Sequence, residues 1–156
     1  MSKHLEMGQG PWTGLATLVA EELDADWAQM RAEHAPGNPK LYANLLFGAQ
    51  LTGGSTAMAN SYEQMRRAGA AARAMLVQAA AEAWKVPAAE ITVEAGTIRH
   101  RSGRSSGFGP FAEAAGRRPV PTDLRLKDPS QFRLIGRDLP KPDTLVKTTG
   151  KAVYTI

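Results

Sequence analysis

The chain has 156 residues, a formal net charge of +4, 43% hydrophobic and 22% charged residues, and no cysteine. That length suits one domain with a modest core, and an aromatic content of 6% makes the core thin, because small side chains bury little area each. The lack of cysteine excludes disulfides, thiolate metal sites, iron–sulfur clusters and cysteine nucleophiles within the chain.

No apolar run approaches the length of a membrane span. Residues 1–10 lack the apolar segment of a secretory signal, so the cytoplasm is the default compartment. The basic excess lies mainly in the second half, at Arg99, Arg101, Arg104, Arg117, Arg118 and the later lysines. Nucleic-acid binding needs such clusters. Here no aromatic residues are interleaved and no nucleic-acid motif is present. The charges read as a solvated or subunit-facing surface, and nucleic acid is not an expected partner.

In chain order, the first element is a turn. Gly8, Gly10, Pro11 and Gly14 surround Gln9, Trp12 and Thr13. With Thr13 as N-cap, Leu15, Leu18, Val19 and Leu23 then recur at helical spacing. Glu21 and Glu22 are adjacent, diverge on a helix and form no acid–base pair. Residues 24–26 end the helix, 27–35 read as a short strand, and 36–39 as a loop. Residues 41–51 are apolar, interrupted by Asn44 and Gly48, and read as extended. The strongest helical pattern covers residues 62–84. Tyr62, Met65, Gly69, Ala72, Leu76, Ala79, Ala80 and Ala83 form a stripe of apolar or small residues, with Arg66, Arg67, Arg73, Gln78 and Glu82 mostly off it. Such a stripe predicts close packing on a sheet or another helix. Val86 and Pro87 stop it. Ile91, Val93, Ile98 and His100 predict a hairpin about Ala95 and Gly96. Residues 103–107 read as a flexible loop, 111–115 as a short helix and 132–135 as a strand in an otherwise irregular region. Residues 146–154 hold a turn at Gly150 and the start of another strand. No internal repeat is present.

Two segments share one logic. Residues 7–10 precede the first helix, and residues 53–56, Gly53, Gly54, Ser55 and Thr56, precede the long one. Helix N-termini expose N–H groups and a partial positive charge, which suit an anion. Glycine lets a ligand approach the backbone, and Gln9 can both donate and accept, and so can recognise a heterocycle edge or a metal-bound oxo group. Each loop alone is equally an ordinary joint between loop and helix, and neither fits the P-loop or the dinucleotide fingerprint. His4, His34 and His100 lack metal-ligand spacing and read as surface or incidental positions. No Ser/His/Asp set follows from the sequence, so no catalytic or metal-ligating residue is assigned.

The run EMGQGPWT over residues 6–13, followed by LVAEELD over 18–24, resembles a signature of the molybdenum hydroxylases, the xanthine dehydrogenase and aldehyde oxidase superfamily. The runs TGGST over 52–56, RRAGA over 66–70, RAML over 73–76, LKDP over 126–129 and KTTGKAVY over 147–154 resemble one branch. That branch is the isoquinoline 1-oxidoreductase beta-subunit type, also labelled the aldehyde dehydrogenase molybdenum-binding subunit. The resemblance implies a molybdopterin cofactor with molybdenum, in the cytosine dinucleotide form. It assigns Met7, Gly8, Gln9 and Gly10, and in a second loop Gly53, Gly54, Ser55, Thr56, Ala57 and Met58, to cofactor binding. It implies an α/β or α+β fold with two main helices on a small mixed sheet. Residues 1–145 then form part of the molybdopterin-binding domain, and 146–156 start a hammerhead-like segment. The late Gly-Glu motif with the family's catalytic base is absent. The chain therefore reads as a fragment or split subunit, inactive alone. Its expected partners are the remaining large-subunit domains and an iron–sulfur small subunit, and some relatives are exported after cofactor insertion. The alternative expectation is a non-catalytic remnant that binds a partner and no cofactor.

Overall fold

The computed structural model describes residues 1–153. Its first helix, α1, spans Pro11–Leu23, and the longest, α3, spans Thr56–Trp84. Between them lies a short helix α2, Pro39–Tyr42. Strands β1 (Ile91–Glu94), β2 (Thr97–His100) and β3 (Ser105–Gly107) follow, then helices α4 (Gly109–Gly116) and α5 (Thr144–Thr148). The sheet is antiparallel, in the order β1-β2-β3.

Helix α1 begins at Pro11, with Gly10 as N-cap at φ 90, rather than with Thr13 capping. Proline is favoured at the first helical position because its missing N–H has no intrahelical partner there anyway. At the other end Asp24 adopts φ 54, and its N–H returns to the carbonyls of Ala20 and Glu21. Residues 27–35 form no strand. Residues 27–29 make a 3-10 turn, and extended pairing is confined to a parallel bridge between Ser2 and His34. Residues 41–51 are likewise not extended: α2 leads into a tight turn in which Asn44 N–H bonds the Ala49 carbonyl at 2.8 Å.

Helices α1 and α3 lie side by side and parallel. Gly14 faces Met58, Val19 and Glu22 face Gly69, and Glu22 pairs with Arg66. A Cβ on Gly69 would lie 2.5 Å from the Val19 carbonyl oxygen, so glycine there permits the backbones of the two helices to approach closely. The expected stripe is rotated. Gly69, Leu76, Ala79 and Ala80 are buried as read, but Tyr62 and Ala83 are exposed, and Ser61, Arg66, Ala70, Ala71 and Ala81 are buried instead. Toward the C-terminal end of α3, Ala79, Ala80 and Ala81 pack with Ile91, Val93, Ile98, Phe111 and Ala115 in a second part of the core. The hairpin turns at Ala95 (φ 44) and Gly96 (φ 73), a two-residue form matching strand twist. Gly96 N–H bonds the Asp24 carbonyl at 2.7 Å, fixing the hairpin to the end of α1. Residues 105–107, read as loop, form the third strand, and 111–115 are helical as read.

The region expected as a strand at 132–135 is irregular, because its amides are already used. Glu21 is 1% exposed. Its Oε2 accepts the N–H groups of Arg133, Leu134 and Ile135 at 2.9, 2.7 and 3.0 Å. Its Oε1 accepts Lys127 Nζ at 2.8 Å. Glu22 accepts Arg66 Nε at 2.7 Å and the Lys127 N–H. Arg66, expected off the buried face, is buried between the rings of Tyr62 and Phe132, at 5.3 and 5.0 Å. Residues 144–148 are helical, not the start of a strand, and Tyr154 lies outside the described residues.

Burial opposes ionisation of Glu21, but Lys127 and the Ile135 and Leu134 amides outweigh it and hold its pKa below the ordinary carboxylate value. A depressed folded pKa contributes stability above the unfolded value, which is lost as pH falls through the folded value. Acid should therefore loosen residues 127–135, the C-terminal strap held by Glu21, below roughly pH 4. Glu21→Gln should cost about 3–5 kcal/mol at neutral pH and flatten the acid limb, as read by denaturant unfolding across pH. Gly69→Ala should cost about 1–3 kcal/mol by forcing the helices apart, measurable as a lower thermal midpoint.

Candidate functional site

Because α1 and α3 are parallel, their N-termini share one end of the molecule, and the two small-residue loops meet there. Leu5 N–H donates to Thr52 Oγ1 at 2.8 Å, joining the loops directly. Met58, from the first turn of α3, lies over Gly14 in the first turn of α1, where a Cβ would stand 2.6 Å from its Sδ.

The first loop is held by its own side chains. Glu6 Oε1 accepts Gly8 and Gly10 N–H at 2.7 and 3.1 Å, and Oε2 accepts Trp12 N–H at 3.2 Å. Gln9 Oε1 accepts Met7 N–H at 2.7 Å, while Nε2 donates to the Leu5 carbonyl at 2.8 Å. Gly8 at φ 103 and Gly10 at φ 90 make the turn possible, and a Cβ on either would meet nothing within 4 Å, so the outer face is open. Met7 is 69% exposed. A carboxylate thus already fills the anion position at the α1 N-terminus. The amide of Gln9 keeps one donor hydrogen and one acceptor lone pair beyond those used in the turn. This surface suits the polar edge of a heterocycle better than a phosphate.

The second loop differs. Among the described residues, the N–H groups of Gly53, Gly54 and Ser55 donate no hydrogen bond. Gly54 has φ 60 and Ser55 φ 55. Ser55 places no side-chain cap on α3, and the first turn of α3 has no acidic residue. Free amides at an uncapped helix N-terminus suit an anion. Thr56 faces inward: its Oγ1 donates to the Gly53 carbonyl at 2.9 Å and accepts Asn44 Nδ2 at 2.7 Å. It supports the loop and does not present its hydroxyl outward. Ala57 is partly buried, and Met58 is 38% exposed at the rim.

Four supporting residues carried no signal in the sequence. Asn44 is fully buried, and its Oδ1 accepts Leu46 N–H at 2.9 Å. Asn60 Nδ2 bonds the Thr56 carbonyl and His4 Nε2, at 2.8 and 3.1 Å. Lys3 reaches Asn60 Oδ1 at 2.9 Å. His4, read from sequence as incidental, is 1% exposed beneath both loops. His100 is buried as well, with Nε2 at 2.9 Å from Glu90 and Nδ1 at 2.8 Å from Ser102 Oγ. This cluster pins the base of the hairpin. His34 alone is exposed, its ring tilted against Trp12 at 4.5 Å between centroids, with Trp12 Nε1 donating to its Nδ1 at 3.3 Å. No hydrophobic pattern marks a buried polar residue, so only its proximity to the EMGQG run points to Lys3 or His4.

A groove of about 800 Å³, lined by residues including Asp24, Arg73, Glu94, Arg125 and Lys127, lies at the C-terminal end of α1. The 13 residues of α1 put it about 20 Å from the loops. Its facing charges are largely paired with one another, Arg73 with Asp24 and Lys127 with Asp24 and Glu21. Among the described residues, no group of three or more His, Asp or Glu side chains is placed to hold a metal ion. No described helix is long and apolar enough to cross a membrane.

Residues 2–139 match the molybdopterin cofactor-binding domain family. The chain is 35% identical over 187 residues to the beta chain of isoquinoline 1-oxidoreductase from Brevundimonas diminuta, covering 96% of this chain and 24% of that protein. It is 33% identical to the membrane-bound aldehyde dehydrogenase [pyrroloquinoline-quinone] of Gluconacetobacter polyoxogenes, over 97% of this chain and 19% of that protein. One of the subunits of nicotinate dehydrogenase from Pseudomonas putida is 31% identical over 97% of this chain and 12% of its own length. The chain thus spans a quarter or less of the curated relatives it matches.

The role of Glu6 as the built-in anion of α1 is open to direct test. Glu6→Ala should lower stability by about 1–2 kcal/mol, as loss of a helix cap does, measured by denaturant unfolding. An unchanged midpoint would show that the turn holds without its carboxylate.

Proposed function

Because this chain belongs to the molybdopterin cofactor-binding domain family, we propose that it supplies two adjoining walls of the cofactor pocket in a larger molybdenum-dependent oxidoreductase subunit. The observation that carries this reading is the Leu5–Thr52 bond, which sets two glycine loops side by side at neighbouring helix N-termini. Met7, Gly8, Gln9 and Gly10 face the pterin end, with Gln9 offering its remaining donor and acceptor. Gly53, Gly54 and Ser55 receive the phosphate end through their free amides, and Thr56, Ala57 and Met58 hold that loop on α3. The free amides fit a phosphate-bearing ligand, and their number suits the pyrophosphate of the cytosine dinucleotide form.

When bound, the cofactor supplies oxidative hydroxylation with oxygen taken from water. The names of the relatives, for isoquinoline, aldehyde and nicotinate, support aldehydes or N-heterocycles as the substrate class of the whole enzyme. One relative's name carries pyrroloquinoline quinone, whereas the family that residues 2–139 match is a molybdopterin-binding one. No catalytic residue is assigned in this chain. The base, the substrate pocket and most of the pocket wall belong to the remainder of the large subunit. An iron–sulfur partner takes the electrons, since a chain without cysteine holds no cluster.

In a complete subunit, Gln9→Ala should lower co-purifying molybdenum and pterin several-fold, while the protein stays folded by circular dichroism. Full molybdenum content would sink the assignment of the first loop. Gly54→Val places a branched side chain at φ 60 beside the Phe47 ring and should cut cofactor content likewise; full occupancy would reduce that loop to a helix start.

A further inference from the structure

Beside α3 lies a buried cation with no anionic partner among the described residues. Lys3 is 6% exposed. Its Nζ donates to Gln64 Oε1 at 2.7 Å, Asn60 Oδ1 at 2.9 Å and the Ala43 carbonyl at 3.4 Å. All three are neutral oxygens, and among the described residues no carboxylate lies within ion-pair distance of this ammonium. The other buried ions are each paired: Glu21 with Lys127, and Glu22 with Arg66. An ammonium taken out of water without a counter-charge is costly, and burial accordingly lowers the pKa of Lys3.

Its position ties it to the loop. Asn60 and Gln64 lie in the second and third turns of α3, and Asn60 Nδ2 also bonds the Thr56 carbonyl in the first. The N-termini of α3 and of its parallel neighbour α1 are both positive ends. That helix carries Glu6 at its start, whereas α3 has no acidic residue in its first turn and no cap from Ser55. One N-terminus holds its anion; the other has none of its own among the described residues.

His4 fixes the orientation of Asn60. Asn60 Oδ1 accepts Lys3 Nζ and Leu45 N–H, which turns Asn60 Nδ2 toward His4 as a donor. His4 Nε2 is then an acceptor, and the ring proton sits on Nδ1. That buried Nδ1 faces the Leu51 backbone, where the chain enters the loop, and its interaction there favours the protonated ring only weakly against burial. Burial, and then the charge of Lys3, lower the His4 pKa, so the imidazole is neutral at pH 7.

We infer that Lys3, positioned by Asn60 and His4, is the fixed counter-charge for a phosphate group held by the Gly53, Gly54 and Ser55 amides. The site is electrostatically complete only with its ligand. Lys3 acts through the field and through Asn60, so it is a positioning residue. The inference rests on the assignment of this loop to the phosphate end of the cofactor.

The test uses the full chain with pyrophosphate as probe and sodium chloride at matched ionic strength as control, read by thermal unfolding. Saturating pyrophosphate should raise the wild-type midpoint by roughly 4 °C above the control, and inorganic phosphate by less. Lys3→Met and the hydrogen-bonding Lys3→Gln should each lose most of that shift, and Lys3→Arg should keep it. A purely structural lysine would instead lower the starting midpoint in Lys3→Gln and leave the pyrophosphate shift intact, which would overturn the inference. If Gly54→Val loses the shift while Lys3→Gln keeps it, the loop assignment stands and the role of Lys3 falls. If the wild type shows no shift, the phosphate site itself is overturned.

Discussion

Two buried carboxylates, Glu21 and Glu22, hold this structure in register. They project from the last turn of α1 in different directions. One gathers Lys127 and three successive amides of the C-terminal strap; the other grips Arg66 on α3. Carboxylates taken out of water are costly unless every acceptor site is filled, and here donors from two distant segments fill them. This arrangement makes α1 the common partner of α3 and of the chain after residue 120. It matters all the more because the small, alanine-rich side chains between the helices provide little area for the hydrophobic effect.

The parallel pairing of α1 and α3 has a direct consequence for function. Neighbouring parallel helices require the chain to return the full length of α1 before α3 begins, and residues 24–55 make that return. The return brings the second loop beside the first, at the end where both macrodipoles are positive. Glu6 neutralises one of them internally. The other remains uncapped, with free amides outside and a buried ammonium below. The two loops, alike as sequences, are therefore unlike as surfaces: one presents an amide for a polar edge, the other positive potential and bare N–H groups.

The family match extends over residues 2–139, yet the chain corresponds to a quarter or less of each relative's length. The exposed apolar side chains near the loops, Leu45 at 65% and Leu46 at 68% among them, leave apolar surface uncovered beside the two loops. Most of the polar support for the loops, at Lys3, His4, Asn44 and Asn60, is nevertheless already in place within the chain.

Local chemistry was legible in the sequence. Two long helices, the turn at Ala95 and Gly96, the short helix at 111–115 and both glycine loops follow from periodicity and turn residues, which depend on near neighbours. The EMGQG and TGGST runs carried the family resemblance for the same reason. Tertiary structure decided whatever depended on a distant partner. Residues 132–135 have strand-like side chains, but their amides bond Glu21 and no neighbouring strand. Arg66 looks like a surface arginine until Glu22 and Phe132 enclose it. His4 looks incidental until α3 lies across it. A hydrophobic pattern reports burial driven by apolar area, whereas a buried polar side chain is tolerated only when partners far along the chain satisfy it, and no local rule names those partners.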